Sequence, residues 1–197
     1  MPNAKPTILV QLDTDAQPSV FDGVVAVDSG VDHLFRHGGV TPENVRDLVY
    51  GALFTRGLDD LHQTALFVGG SNVAAGEAVL EKIKKTFFGP FRVSVLFDAN
   101  GSNTTAAAAA LAALTSLNGS LDGARAVVLA ATGPVGQRVA RLLSRLGASV
   151  AVGSRDQARA RALAEKLETT TGGRFEPFSN ADSDQLEAVI GNAAVVV

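Results

Sequence analysis

The chain has 197 residues, 46% of them apolar and 19% charged, the balance of an ordinary soluble globular protein with room for one large domain or two small ones. A net charge of -3 offers no diffuse basic surface for nucleic acid or an anionic membrane, so the expected partner is a small molecule or another protein. With no cysteine there is no disulfide framework, thiol nucleophile or thiolate metal site, and the opening MPNAKPTILVQLDTD has too short an apolar run for a signal peptide or a membrane span, so the expected location is the cytoplasm.

In chain order, TILVQL reads as a buried strand, PSVFDG as a loop and VVAV (Val24 to Val27) as a second short strand. His33 and His37 stand at i, i+4, which would place both on one helical face as zinc ligands can be, but no third ligand is convincing and no metal is expected. Thr41-Pro42-Glu43 opens a helix with threonine as N-cap and proline at N1, running to about Phe54. Thr64 to Val68 is an apolar strand, Gly69-Gly70-Ser71-Asn72 turns into a helix ending near FFGPF, and Arg92 to Asp98 is a strand. This alternation predicts an α/β domain with a parallel or mostly parallel sheet over residues 1–101.

ANGSNTTAAAAALAALTSLNG is rich in alanine, the best helix former; Ser102 or Asn103 can cap it, and Leu111, Leu114 and Leu117 lie on one face. A helix of roughly 16 residues, about 24 Å long, is predicted as a stiff connecting element within residues 102–120. The pattern then restarts as a RAVVLAA strand, a helix from Val135 to Leu146, an SVAVG strand and a charged helix from Asp156 to about Leu167. An RFEPF strand, a helix from Asp182 to Ile190 and a final AAVVV strand follow. Over residues 121–197 this series predicts the first half of a Rossmann sheet plus one strand, a partial dinucleotide-binding domain, and the sequence reads as a fragment of a longer protein.

The turn between RAVVLAA and its helix carries the positions of a G-x-G-x-x-G fingerprint as Ala131, Gly133 and Gly136. In that fingerprint the first glycine makes the tight turn, the second lets the backbone approach a pyrophosphate, and the third lets helix and strand pack closely. Alanine suits the first position if its φ is negative. Pro134 fits N1, Val135 follows it into the helix, and the Thr132 hydroxyl can replace the amide that proline lacks. The alternative is a glycine turn that merely packs a βα unit. At the end of the next strand, where an NAD site places an acid, stand Ser154 and Arg155, a hydroxyl and a guanidinium suited to a 2′-phosphate. The expected cofactor is therefore NADP. NAD stays open because Asp156 follows, although Asp156 is better placed to cap the next helix, and Arg155 has the alternative of being a solvated surface cation.

The segments QLDTDAQPSVFD, DHLFRHGGVTPENV, LFVGGSNVAAGE, KKTFFGPFRVSV, DANGSNTTAAAA and VVLAATGPVGQRVA closely resemble, in this order, the methylene-tetrahydromethanopterin dehydrogenases of methylotrophic bacteria, the NAD(P)-dependent MtdA and MtdB type. The resemblance runs from about Ile8 to Gly153. It implies an α/β substrate domain followed by the Rossmann domain, and oxidation of methylene- to methenyl-tetrahydromethanopterin by hydride transfer, in one-carbon metabolism and formaldehyde oxidation. Methylene-tetrahydrofolate is the alternative carrier, and a catalytically inactive NADP-binding fragment the alternative role. The hydride leaves a carbon bridging two nitrogens and no proton moves there, so no catalytic acid–base residue is expected; the site works by positioning. By the same resemblance, Phe21 would stack on the pterin or aryl ring, and Asp13, Asp15 and Asp22 would accept hydrogen bonds from pterin N–H groups or stabilise the cation. Asn100, Ser102, Asn103, Thr104 and Thr105 would line the site near the reacting carbon, and the protein would be a homo-oligomer. Plainer readings stand beside these: Phe21 as core, Asp13 as a turn former, and one of Asp98, Asn100 and Ser102 as a cap of the alanine-rich helix.

Overall fold

In the computed structural model, which describes residues 5–197, the chain divides into two units, one ending at Gly101 and the other spanning Ser102–Val197. The first is built from β1 (Ile8–Asp13), α1 (Val20–Asp28), β2 (His33–His37), α2 (Val45–Phe54), β3 (Thr64–Gly69), α3 (Val73–Thr86) and β4 (Ser94–Phe97). Its sheet is parallel with the order β2-β1-β3-β4. Alternation along β1 sends Val10 and Leu12 into an apolar core with Val49, Leu53, Leu66, Val68, Val79 and Ile83. The opposite face of the same strand carries Gln11 and Asp13, both buried. There the Arg36 guanidinium donates to Gln11 Oε1 at 2.9 Å and to the Ser19 carbonyl at 2.6 Å.

Three local expectations are corrected here. VVAV is the heart of a helix, α1, because an apolar run satisfies either period and Ser19 starts a helix by accepting the Asp22 N–H at 3.2 Å. Only the small residues Gly23 and Ala26 of α1 are buried, leaving Val20, Phe21, Val24, Val25 and Val27 exposed. His33 and His37 lie at the two ends of a strand, so about 13 Å of extended backbone separates them, against the single helical turn their spacing suggested. The Thr41-Pro42-Glu43 start is also displaced: α2 begins at Val45, because the Asn44 side chain closes a turn by accepting the Thr41 N–H at 2.8 Å and donating to the Gly39 carbonyl at 3.0 Å.

The second unit comprises α4 (Ser102–Ser116), β5 (Arg125–Val128), α5 (Pro134–Arg145), β6 (Ser149–Ser154), α6 (Gln157–Thr171), β7 (Phe175–Ser179), α7 (Ser183–Gly191) and β8 (Val195–Val196). Its parallel sheet has the order β7-β6-β5-β8, the right-handed βαβ arrangement of a Rossmann half with one strand beyond the switch point. The alanine-rich α4 belongs to this unit and packs with α5 in its core. The face it buries is Ala106, Ala110 and Ala113, not the leucine row: Leu111 is 63% exposed, while Leu114 and Leu117 pack only at the margin. Methyl side chains at the contact let the helix backbones approach closely, and larger ones would hold them apart. No helix among the described residues is long and apolar enough to cross a membrane.

Candidate functional site

Beyond β5 the chain turns through Leu129–Gly133 into α5. Ala131 is fully buried and its N–H donates to the Gly153 carbonyl at 3.1 Å, which pins the turn to the end of β6. Positive φ among the described non-glycine residues is confined to Asn100 and Asn118, so Ala131 sits in ordinary backbone space and needs no glycine. Gly133 is the α5 N-cap, with φ -75 and ψ 163, and Pro134 is the first helical residue. The two glycines of the turn differ in what requires them. A Cβ at Gly136 would lie 2.8 Å from Ala131 Cα and closer still to the Ala130 carbonyl oxygen, so helix–strand packing demands glycine there. A Cβ at Gly133 would meet only that carbonyl oxygen, at 3.4 Å, an ordinary contact. The protein's own packing does not require a glycine at Gly133, which stands as the N-cap at the entrance to the first turn of α5. No acid stands in that turn and no side chain caps it, so its free amides can receive an anion. Thr132 and Val135 are half-buried beside it, and the Thr132 carbonyl accepts from Gln137 Nε2 at 3.0 Å.

At the end of β6, Ser154 is buried and its Oγ accepts the Asp156 N–H at 3.3 Å, while Arg155 is exposed. Asp156 caps α6, one carboxylate oxygen accepting the Ala158 N–H at 2.8 Å and the Arg159 N–H at 3.3 Å. Two cations nearby escaped the sequence reading. Arg159 and Lys166, with Thr132 and Gln137, line a recess of about 260 Å³ between the glycine turn and α6. Lys166 Nζ stands 3.4 Å from Gln137 Oε1, and among the described residues no carboxylate pairs with Arg155, Arg159 or Lys166. Their i, i+7 spacing on one helix face was the available signal.

In the first unit the acids divide by role. Asp13 is fully buried: one oxygen accepts the Asp15 N–H at 2.9 Å, the other the Ser19 N–H at 3.0 Å. Asp15 accepts the Ser71 N–H and the Ser71 hydroxyl, each at 2.9 Å. Asp22 is half-buried, and its carboxylate shares with that of Asp13 the space beside Gly69, where a Cβ would stand 3.5 Å from one and 3.4 Å from the other. Burial raises the Asp22 carboxyl above the ordinary aspartate range and outweighs the Ser19 hydrogen bond; Asp13 and Asp98 push the same way, Arg36 the opposite way. Phe21 is 77% exposed, so core packing does not account for it. Asn100 is exposed in the left-handed region, with φ 53 and ψ 31, and its N–H donates to the Gly70 carbonyl at 2.8 Å. The structure thus gathers Asp13, Asp15, Asp22 and Asn100 around the carboxyl ends of β1, β3 and β4, the edge where open α/β sheets hold ligands.

The remaining candidates belong to the second unit, at the start of α4. Ser102 is 1% exposed and its buried Oγ has no hydrogen-bond partner among the described residues, whereas Thr104 and Thr105 are exposed. Asn103 is half-buried, and its Oδ1 accepts from Arg138 Nε at 2.6 Å. Arg138 was also missed; it interrupts the apolar stripe Val135, Val139, Leu142 of α5, which was its signal in the sequence.

Comparison with known proteins adds to this geometry. Residues 20–100 match the family described as methylene-tetrahydromethanopterin dehydrogenase, N-terminal. The chain is 49% identical over 185 residues to the bifunctional protein MdtA of Methylorubrum extorquens, covering 93% of this chain and 64% of that protein. It is 36% identical over 90 residues to the NAD(P)-dependent methylenetetrahydromethanopterin dehydrogenase of the same organism, covering 46% of this chain and 30% of that one. The chain therefore spans less than two thirds of the length of these curated relatives. Among solved structures, shikimate 5-dehydrogenase from Listeria monocytogenes, in complex with shikimate and NAD, superposes with a TM-score of 0.56 at 14% identity, over 100% of this chain and 70% of its own. At that identity the likeness is one of fold.

Proposed function

Because the chain belongs to the methylene-tetrahydromethanopterin dehydrogenase family, we propose that it serves the oxidation of methylene-tetrahydromethanopterin, its second unit holding NADP and its first the reduced pterin. The observation that carries the reading is Gly133, a glycine that no internal contact requires, beside a helix N-terminus whose amides are free to meet a pyrophosphate. The choice of NADP rests on charge. Asp156, the acid nearest the usual ribose-binding position, is engaged as the α6 cap, while Arg155, Arg159 and Lys166 are cations with no carboxylate partner among the described residues. They suit the second negative charge of a 2′-phosphate.

The nicotinamide ring, when bound, supplies the hydride acceptor. The chain's own residues bind and orient. Phe21 offers an exposed ring for stacking on the pterin, and Asp22 an acceptor for its N–H groups. Asp13 and Asp15 hold the loops that carry them, and Asn100 supplies a short polar side chain for the carrier. No group need move a proton at the reacting carbon, so catalysis by alignment and exclusion of water fits this residue set.

The test is calorimetric titration with NADP and with NAD, followed by an assay of NADP reduction with methylene-tetrahydromethanopterin. NADP binds more tightly than NAD, and Arg155→Ala removes most of the difference, about tenfold for one charge-assisted hydrogen bond. Absence of binding by either dinucleotide overturns the cofactor assignment. Binding without hydride transfer overturns the assigned reaction.

A further inference from the structure

The buried Arg138 guanidinium joins the start of α4 to the start of α5. Its Nε donates to Asn103 Oδ1 at 2.6 Å, and its Nη1 donates to the Pro134 carbonyl at 2.9 Å. Asn103 lies in the first turn of α4, and Pro134 opens α5, the segment assigned to the pyrophosphate. Helix packing alone does not call for an arginine here. Arg138 is 9% exposed within the stripe Val135, Val139, Leu142, where an aliphatic side chain would close α5 against α4 without burying a charge. The α4 residues Ala106, Ala110 and Ala113 already provide close contact between the helices.

The geometry of the link matters too. A guanidinium is planar and carries donors only, so two of its nitrogens hold two acceptors in a fixed relative orientation. It also fixes the asparagine amide: Oδ1 must face Arg138, and Nδ2 is turned to the other side. We propose that Arg138 is a positioning residue that couples occupancy of the glycine turn to the orientation of the Asn103 amide at the start of α4. The coupling rests on the cofactor reading above. An anion received by the first turn of α5 displaces or stiffens the Pro134 carbonyl, and the rigid fork carries that change to Asn103.

The experiment is titration of the ¹⁵N-labelled chain with NADP, following the backbone amides of Gly133 and Gly136 and the side-chain amide of Asn103. In the wild-type chain the Asn103 resonances shift along the same isotherm as the glycines. In Arg138→Met the glycine shifts persist and the Asn103 shift is lost; Arg138→Lys, whose ammonium reaches one acceptor, recovers part of it. Saturation of the glycine shifts with a stationary Asn103 amide in the wild-type chain overturns the coupling, whatever the fate of the variants. A loss of NADP affinity in Arg138→Met also overturns it, by making Arg138 part of the phosphate site. Glycine resonances indifferent to NADP overturn the cofactor reading, and the coupling falls with it.

Discussion

Asp15 clasps Ser71 with both carboxylate oxygens, one accepting the backbone N–H and the other the hydroxyl, each at 2.9 Å. The pair ties the loop after β1 to the loop after β3, so the loop that leads into Phe21 and Asp22 is braced from a neighbouring strand. Asp15→Ala removes both hydrogen bonds at an exposed site where water can replace them, and costs about 0.5–1.5 kcal/mol of stability. Hydrogen exchange at Ser71 accelerates in the same variant, while Leu12 and Val68 in the core keep their protection. Equal acceleration throughout the unit would show that the clasp is not local.

The two glycines of the cofactor turn separate packing from binding. Gly136→Ala drives a methyl group into Ala131 and the Ala130 carbonyl and destabilises the fold by about 1–3 kcal/mol, read by denaturant unfolding. Gly133→Ala meets only an ordinary contact; the gain of about 0.4–1 kcal/mol through the unfolded chain is offset by alanine's weakness as an N-cap, so stability stays within about 1 kcal/mol of the wild type. NADP affinity falls at least about tenfold in the Gly133 variant, because the added methyl fills the space proposed for the pyrophosphate. Undiminished affinity would remove the dinucleotide from this turn.

Asp22 gives a pH signature. Its folded-state pKa is raised, chiefly by burial, so its contribution to stability is fully present below the unfolded-state value and is lost as the pH rises through the folded one. Asp22→Asn keeps the shape and removes the ionisation. The variant therefore gains stability relative to the wild type as the pH climbs past the ordinary aspartate range, and the difference levels off once Asp22 is fully ionised. Thermal unfolding of both proteins from about pH 3 to about pH 8 reads this directly. A difference independent of pH would show that Asp22 is solvated like any surface aspartate.

Phe21 is a stability-neutral test of the pterin site. A ring that is 77% exposed contributes little to the fold, so Phe21→Ala changes stability by about 0.5 kcal/mol or less. Loss of an aromatic stacking partner raises the KM for methylene-tetrahydromethanopterin by up to about tenfold and leaves the KM for NADP in place. If neither constant moves, the ring does not touch the carrier.

The sequence was most legible where pattern and punctuation agreed. In the second unit every strand–helix alternation survived, since TGPVG, SRDQ and NADSD each place a turn or cap residue where period and hydrophobicity change. It misled where a short apolar run carried no such mark. The valines of α1 have strand propensity but are surface residues of a helix, held by Gly23 and Ala26 below and Ser19 in front. The row of leucines on α4 was a poor guide to its buried face, because what lies against α5 is methyl groups, and alanine is as frequent outside a contact as within it. For the candidate site, the sequence exposed the glycines and the small polar segments. It could not reveal that Asp13 is used up internally, or that Arg138 reaches back to a residue far from it in sequence, since both are facts of tertiary contact.

The strand order of the second unit also sets a schedule for folding. β5 lies inside the sheet, yet one of its two neighbours is β8, whose Val195 and Val196 pair with Ala126 and Val127 only after three helices and two strands have been laid down. Until then one edge of β5 stays unpaired, while the first unit has all four of its strands in hand. A nascent chain therefore carries a finished first unit beside a half-zipped second one. Slow closure of that long loop makes the interval before β8 docks the period of greatest exposure to wrong strand pairing.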